Sequence, residues 1–172
     1  MLDQVRGRVK MGPVIELTPV TARHVADLAV LGAADPDRPW RTSPGQTPLR
    51  SAQAFVVEAQ RRRARDAGAT FAVCDGDRLI GIVTLARDPA ASAHAELGYW
   101  IAPDDRGRGH ATAAVRQLLA HGFGRMGLDL VFAHCPDANL ASARVLAKLG
   151  FQRVASSRDP RRFELRRQPP AP

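Results

Sequence analysis

The stretch that decides the fold is Glu96–Val115, ELGYWIAPDDRGRGHATAAV, in which an apolar strand candidate leads through RGRGHA into a helix candidate. Gly107, Gly109 and Ala111 are small, so backbone N–H groups can turn outward there and be approached closely. The N-terminus of the following helix adds a partial positive charge. The stretch therefore predicts an anion-binding cradle. It matches neither the dinucleotide fingerprint G-x-G-x-x-G nor the phosphate loop ending in G-K-S/T, because the third glycine and the lysine are missing.

Secondary-structure signals on both sides of the cradle indicate a mixed α/β fold. Before it, the patterns predict a strand at 14–17, helices at 22–31 and 51–67 capped by Thr21 and Ser51, and strands at 70–74, 79–85 and 93–101. After it, they predict a helix at 111–126, a strand at 130–134, a helix at 140–149 and strands at 151–156 and 163–167. An antiparallel front half followed by parallel crossovers predicts a mixed sheet of about seven strands, with helices on both faces.

Length and composition indicate one domain. The chain has 172 residues, of which 45% are hydrophobic and 24% charged, close to the averages for globular proteins. We expect a single domain at 13–167, with flexible segments at 1–12 and 168–172. No apolar run approaches the roughly 20 residues that span a bilayer, and the N-terminus lacks the apolar stretch of a secretory signal. These features predict a cytoplasmic protein without membrane contact.

Cysteine and histidine usage argues against a disulfide and against a metal site. Cys74 and Cys135 are distant in sequence, and in an intracellular protein such thiols are better interpreted as reduced. The five histidines show no close ligand pairing. We therefore expect no bound metal.

A second motif follows the start of the cradle by about thirty residues: Asn139-Leu-Ala-Ser-Ala-Arg-Val-Leu-Ala-Lys-Leu-Gly-Phe151. With the cradle, it resembles the GCN5-related N-acetyltransferase (GNAT) superfamily, whose pyrophosphate loop reads Q/R-x-x-G-x-G/A and whose later motif reads N-x-x-A/S followed by K-L-G-F. Arg106, Gly109 and Ala111 fit the loop at their spacings. The strand ELGYWIAP resembles in particular the branch that acetylates ribosomal protein N-termini, the RimJ/RimL-like enzymes.

The resemblance implies acetyl-CoA as co-substrate and a sheet whose fourth and fifth strands splay apart to admit the pantetheine arm. Backbone groups near Trp100, Ile101 and Ala102 would pair with the pantetheine amides. Asn139 would bond the pantetheine or the following backbone, and Ser142 would lie near the thioester sulfur. The residues implied at the pyrophosphate are Arg106, Gly107, Arg108, Gly109, His110, Ala111 and Thr112.

The implied reaction needs two proton movements, because the attacking amine must lose a proton and the departing thiolate leaves more easily if protonated. Many superfamily members use a tyrosine four residues before the G-F pair, where this chain has Leu146. The branch resembled here places a serine at the position of Ser142, which is therefore the candidate donor. Glu96, a carboxylate in an otherwise apolar strand, is the candidate base. The alternatives for the base are His134, Asp159 or a water held by backbone carbonyls.

The resemblance implies an N-acetyltransferase that works by direct attack in a ternary complex, with a peptide or protein α-amine favoured as acceptor. The alternative acceptor is a small-molecule amine or drug. Alternatives of another class are a catalytically weak CoA-binding module and an RNA- or ribosome-associated protein. We expect a monomer or a homodimer.

The net charge is +8, and almost all of the positive charge comes from arginine. Arginines cluster at 61–65 and at 158–167, without the interleaved aromatic residues that stack on single-stranded bases. Nucleic-acid binding is therefore not favoured, and a solvated face is the simpler interpretation. Attraction of CoA, an acidic peptide or RNA is the alternative.

Overall fold

The computed structural model describes residues 13–35, 38, 40, 46–154 and 161–168. The predicted N-terminal segment 1–12, the tail beyond 168 and the candidate base Asp159 lie outside these ranges. The predicted division into one domain and two flexible ends therefore stays a prediction.

A seven-stranded mixed sheet occupies the centre of the protein, in the order β1-β2-β3-β4-β5-β7-β6. Its strands are β1 Glu16–Pro19, β2 Gly68–Asp75, β3 Arg78–Asp88, β4 Ala91–Ile101, β5 Leu130–His134, β6 Gln152–Arg153 and β7 Arg162–Arg166. All the described strand pairs are antiparallel except β4 with β5. The predicted mixed sheet is confirmed.

In the described part of the chain, four α-helices cover the sheet: α1 Val25–Ala34, α2 Pro48–Ala64, α3 His110–Gly124 and α4 Leu140–Lys148. Two separate apolar cores show that the helices lie on both faces. On one face, Leu28 of α1 and Val56 of α2 pack with Ile82 and Trp100 of the sheet. On the other face, α3 and α4 pack on the strand residues that alternate with these and point the other way, such as Leu97. This alternation follows from the two-residue period of a strand.

The N-terminus of α2 differs from the predicted one. The helix begins at Pro48 and its N-cap is Thr47, whose hydroxyl accepts a hydrogen bond from the Arg50 amide at 3.3 Å. Proline at the first helical position has no N–H to leave unpaired and its φ suits a helix. Ser51 is therefore a first-turn residue, and its prediction as the cap was wrong.

The first helix also begins later than predicted. A short 3-10 turn occupies Ala22–His24, and α1 starts at Val25. The Thr21 amide donates to the His24 ring at 3.1 Å, and the His24 amide donates to the Thr21 carbonyl at 3.0 Å. Thr21 thus caps the 3-10 turn rather than the α-helix.

The fourth and fifth strands separate as predicted. Strand β5 pairs with β4 only at His94, Ala95 and Glu96. Strand β3, in contrast, stays paired with β4 as far as Ile101. Among the described residues, the β5-side edge of β4 therefore has no strand partner from 97 to 101. This split opens toward the predicted cradle, which begins a few residues after β4 ends.

Candidate active site

The predicted cradle is formed by glycines in a conformation that side chains rarely adopt. Gly107 has φ +77° and Gly109 has φ +85°, and α3 begins directly afterwards at His110. A Cβ added at Gly107 would meet no atom within 4 Å, so the surface of the loop is open. Gly109 is the N-cap and supplies no side chain to bond the first-turn N–H groups. These amides can receive an anion.

Asp105 anchors the cradle to the sheet. Its side chain is 3% exposed and accepts two hydrogen bonds from the Arg78 guanidinium, at 2.7 and 2.8 Å. Arg108 approaches the same carboxylate at 3.7 Å. The hydrogen bonds from Arg78 lower the pKa of the Asp105 carboxyl, with the nearby charge as a further cause. The loop is therefore fixed to the start of β3 by an ionised carboxylate.

We predict that Asp105→Asn destabilises the protein at neutral pH by about 1.5–3 kcal/mol, the usual contribution of hydrogen bonds to a charged group. Because the folded-state pKa of Asp105 is lowered, its contribution is present above the unfolded pKa near 3.9 and is lost as the pH falls through the folded pKa. Denaturant unfolding from pH 7 to pH 3 should show the two proteins converging in acid. An unchanged stability difference across this range would contradict the assignment.

Arg106 does not direct its guanidinium group into the cradle. Its Nε donates to the Ile101 carbonyl at 2.8 Å, and its Nη2 binds the buried carboxylate of Asp35. Asp35 also accepts a hydrogen bond from Trp100 Nε1 at 2.8 Å. Trp40 packs edge-on against Trp100, with ring centroids 5.2 Å apart. Arg106 therefore holds the loop against the end of β4.

Three residues at the start of α3 complete the cradle. Ala111 and Thr112 are half-buried in the first turn. His110 is 6% exposed, and its buried Nδ1 has no hydrogen-bond partner among the described residues. A buried polar atom without a hydrogen-bond partner destabilises the protein unless a bound group supplies that partner. This region fits an anionic ligand.

The open edge of β4 presents the backbone of Tyr99 and Ile101. The Ala102 amide donates to the Ile80 carbonyl at 2.8 Å, so the backbone groups of Ala102 and, two residues earlier, of Trp100 face β3. Those of Tyr99 and Ile101 face the split. Of the three residues predicted to pair with a pantetheine arm, only Ile101 directs its backbone groups there.

Tyr99 lies beside Ser142 although 43 residues separate them. The phenol oxygen is 2.5 Å from Ser142 Oγ, and it also donates to the Ser142 carbonyl at 3.2 Å. Asn139 fixes the serine from the other side, because its Oδ1 accepts from the Ser142 amide at 3.0 Å as the N-cap of α4. Burial raises the pKa of Tyr99 to about 12. The sequence placed Tyr99 on the strand but did not reveal this contact.

Glu96 and His134 form a second pair on the opposite face of the sheet, the side covered by α1 and α2. Glu96 Oε1 lies 2.8 Å from His134 Nδ1. The two side chains are 50% and 39% exposed. Phe132 lies edge-on to the His134 ring, at 5.6 Å between centroids. The structure thus joins the candidate base to one of its alternatives.

A cleft of about 550 Å³ lies beside Glu96. One wall comes from α2, and the rest comes from Ala67, from the end of β3 with Pro89, from Glu96 in the middle of β4 and from Phe132 of β5. The charged residues that line it are Glu58, Arg61, Arg62, Arg65, Arg87, Asp88 and Glu96. The cleft gives Glu96 access to a molecule that approaches from outside.

The remaining candidates for chemistry are enclosed in the core. Cys135 is buried, and its thiol lies 3.6 Å from the Pro136 carbonyl and 3.5 Å from the Asn139 carbonyl. Cys74 is buried in the other core and is also a free thiol. Within the described part of the chain, no three or more His, Cys, Asp or Glu side chains are grouped so as to hold a metal. No helix in that part is long and apolar enough to cross a membrane.

Comparison with known proteins places this geometry in context. Residues 15–152 match the family model described as acetyltransferase (GNAT) domain. The probable N-acetyltransferase YjcK of Bacillus subtilis is 33% identical over 106 residues, which are 60% of this chain and 59% of YjcK. The chain spans about half the length of the curated relatives it matches.

Solved structures show the same fold. RimJ of Mycobacterium smegmatis, in complex with CoA-disulfide, aligns with a TM-score of 0.77 and 24% identity over 89% of this chain and 82% of RimJ. RimL, a ribosomal-protein α-N-acetyltransferase in complex with coenzyme A, aligns with a TM-score of 0.73 and 17% identity over 88% of this chain and 93% of RimL. At these identities the likeness establishes the architecture.

Proposed function

Since the chain belongs to the GNAT acetyltransferase family, we propose that it transfers an acetyl group from acetyl-CoA to a primary amine, favouring the α-amine of a peptide or protein. The observation that carries this proposal is the split between β4 and β5. It has the Glu96–His134 pair on one face of the sheet and the Tyr99–Ser142 pair on the other. The two pairs suit the two proton movements of direct attack in a ternary complex.

The cradle and the open strand edge fit acetyl-CoA, which supplies the acetyl thioester when bound. Gly107, Arg108 and Gly109 and the first turn of α3, His110, Ala111 and Thr112, hold the pyrophosphate in this proposal. The backbone groups of Tyr99 and the amide of Ile101 are placed to pair with the pantetheine amides, as an added strand would, while the Ile101 carbonyl accepts from Arg106 Nε. Trp100 and Ala102 support that edge from within the sheet, and Arg106 positions the loop.

Glu96 is the proposed base. One carboxylate oxygen is held by His134, which leaves Oε2 without a hydrogen-bond partner among the described residues. An amine in the adjoining cleft can give its proton to this oxygen. His134 is then a positioning residue that fixes the carboxylate.

Ser142 and Tyr99 stabilise the departing thiolate. A thiol has a pKa near 8.5, well below the value of about 12 for Tyr99, so full proton transfer from the phenol is uphill. In this proposal Tyr99 acts without giving up its proton: when the phenol donates to Ser142 Oγ instead of to the Ser142 carbonyl, the serine hydroxyl is free to donate to sulfur. Final protonation comes from solvent.

We predict that Ser142→Ala and Tyr99→Phe each lower kcat by about tenfold, less than the loss of a base, because water can replace a hydroxyl as donor. The double variant should lose little more than either single variant, since the two hydroxyls act as one unit. Stopped-time assays of thiol release would measure both effects. Fully additive losses, or no loss in either single variant, would contradict the paired role.

The proposed acceptor, a peptide α-amine, is supported by the exposure of Glu96 and by the pKa of the amine. Glu96 is half exposed at an open cleft, which suits the end of a chain. A peptide α-amine, with a pKa near 8, is easier to deprotonate than a lysine side chain near 10.4. The test is acetyl-CoA-dependent thiol release with a panel of peptide α-amines, lysine side chains and small amines. Turnover on small amines alone would favour the small-molecule alternative, and no turnover with any amine would favour a CoA-binding module.

A further inference from the structure

The cleft beside Glu96 is walled by one face of α2. Four side chains at positions i, i+3, i+4 and i+7 line the cleft: Glu58, Arg61 and Arg62 of the helix and Arg65 at its C-cap. Side chains at this spacing share one helix face. Arg63 belongs to the same arginine run but is not among the lining residues. The run is therefore divided by helix geometry, and only part of it faces the cleft.

Two of the cleft arginines already have partners in the chain. Arg62 Nε donates to Glu58 Oε1 at 2.9 Å, four residues earlier on the helix. Arg87 Nη2 binds the Asp66 carboxylate at 3.1 Å and the Met126 carbonyl at 2.8 Å. These two guanidinium groups are therefore already bound to other groups of the chain.

Arg61 and Arg65 have no ion-pair or hydrogen-bond partner for their side chains among the residues that the structure describes. The neighbouring carboxylates are engaged elsewhere, because Asp88 accepts from the Ala90 amide at 2.9 Å and Glu96 binds His134. Four guanidinium groups and three carboxylates line the cleft, so its net charge is +1, and Arg61 and Arg65 are its two guanidinium groups without a partner in the described chain. Concave surfaces with one excess sign of charge concentrate ligands of the opposite sign.

We propose that this enzyme selects peptide N-termini that carry an acidic side chain shortly after the α-amino group. This inference rests on the proposed acetyl transfer. The α-amine meets Glu96, while the acidic side chain is bound by Arg61 and Arg65. Guanidinium groups match a carboxylate with two parallel hydrogen bonds, which gives geometric selectivity as well as attraction.

The mixture of charges favours such a peptide over two other classes of ligand. A polycationic amine would be repelled by Arg61 and Arg65. A nucleic acid would bring a continuous row of phosphates against the carboxylates of Glu58, Asp88 and Glu96, which line the same cleft. One or two separated carboxylates on a short extended chain avoid both conflicts.

The test compares two peptides that begin Ser-Asp-Glu-Ala and Ser-Asn-Gln-Ala, which differ in charge but hardly in shape. The parent enzyme should show a kcat/KM about tenfold higher on the acidic peptide. The double variant Arg61→Ala/Arg65→Ala should lose that preference, mainly through a higher KM, and should keep its rate on the neutral peptide. Arg61→Glu/Arg65→Glu should instead prefer a peptide with lysine at these positions.

Arg63→Ala is the matched control, because it removes an arginine from the same helix outside the cleft and should keep the acidic preference. Stabilisation of each variant by acetyl-CoA reports that it is folded. Equal rates of the parent enzyme on both peptides overturn the acidic preference alone, while failure to acetylate either peptide or any other amine overturns the proposed function as well. Inhibition by an RNA oligonucleotide that depends on Arg61 and Arg65, without a preference between the peptides, overturns the inference in favour of nucleic acid.

Discussion

Gly109→Glu should abolish the thermal stabilisation that acetyl-CoA gives to the protein. Gly109 has φ +85° and immediately precedes α3, so the new side chain would extend from the cradle itself. Its carboxylate would occupy the helix N-terminus and repel a pyrophosphate there. At 100 times its Kd, a ligand stabilises a protein by about 2.7 kcal/mol, or roughly 5–10 °C in Tm for a chain of this size. The whole of this shift should disappear, as differential scanning fluorimetry would show.

The control variant Gly127→Glu separates the loss of acetyl-CoA binding from the loss of stability that the substitution itself causes. Gly127 also has a left-handed backbone, φ +66°, and a Cβ there meets no atom within 4 Å. It follows the C-terminus of α3, about 22 Å from the cradle along a helix of 15 residues. Both variants should lose about 1–2 kcal/mol of intrinsic stability, but only Gly127→Glu should still respond to acetyl-CoA. An undiminished response of Gly109→Glu would show that the pyrophosphate lies elsewhere.

The sequence was sufficient for the architecture because local signals agreed with the global fold. Alternation of apolar residues predicted the strands, and the small residues between β4 and α3 predicted a turn that the glycines form with positive φ. The error at α2 concerned the N-cap, which was predicted at Ser51. Proline at position 48 allows an earlier start, and Thr47 then outcompetes Ser51 as cap.

The site was less predictable because its important contacts join residues that are distant in sequence. Tyr99 meets Ser142 only because β4 directs odd-numbered side chains toward α3 and α4. Strand alternation could have indicated that face, but nothing local to Tyr99 identifies the start of α4 as its neighbour. Arg106 fits the family motif, yet a buried carboxylate 71 residues earlier captures its guanidinium group. Such pairings depend on tertiary packing.

The division of roles between Glu96 and His134 leads to the second large effect. Glu96→Gln keeps the shape of the side chain and its capacity to bond His134, but removes its basicity. We expect kcat to fall by about 10² to 10⁴-fold, the usual range for general base catalysis. Stabilisation by acetyl-CoA should be unchanged, because Glu96 lies outside the cradle. The rate should recover in part above pH 8, where more of the α-amine acceptor is already neutral.

His134→Gln is the companion variant, since it removes the partner of the carboxylate and leaves the carboxylate itself. If His134 only positions Glu96, this change should cost about tenfold in kcat, because a solvated carboxylate still accepts a proton but is held less firmly. Losses of equal size in the two variants would make His134 the base and Glu96 its orienting partner. Full activity of Glu96→Gln at pH 7 would exclude the carboxylate as base and direct attention to a water held in the split between β4 and β5.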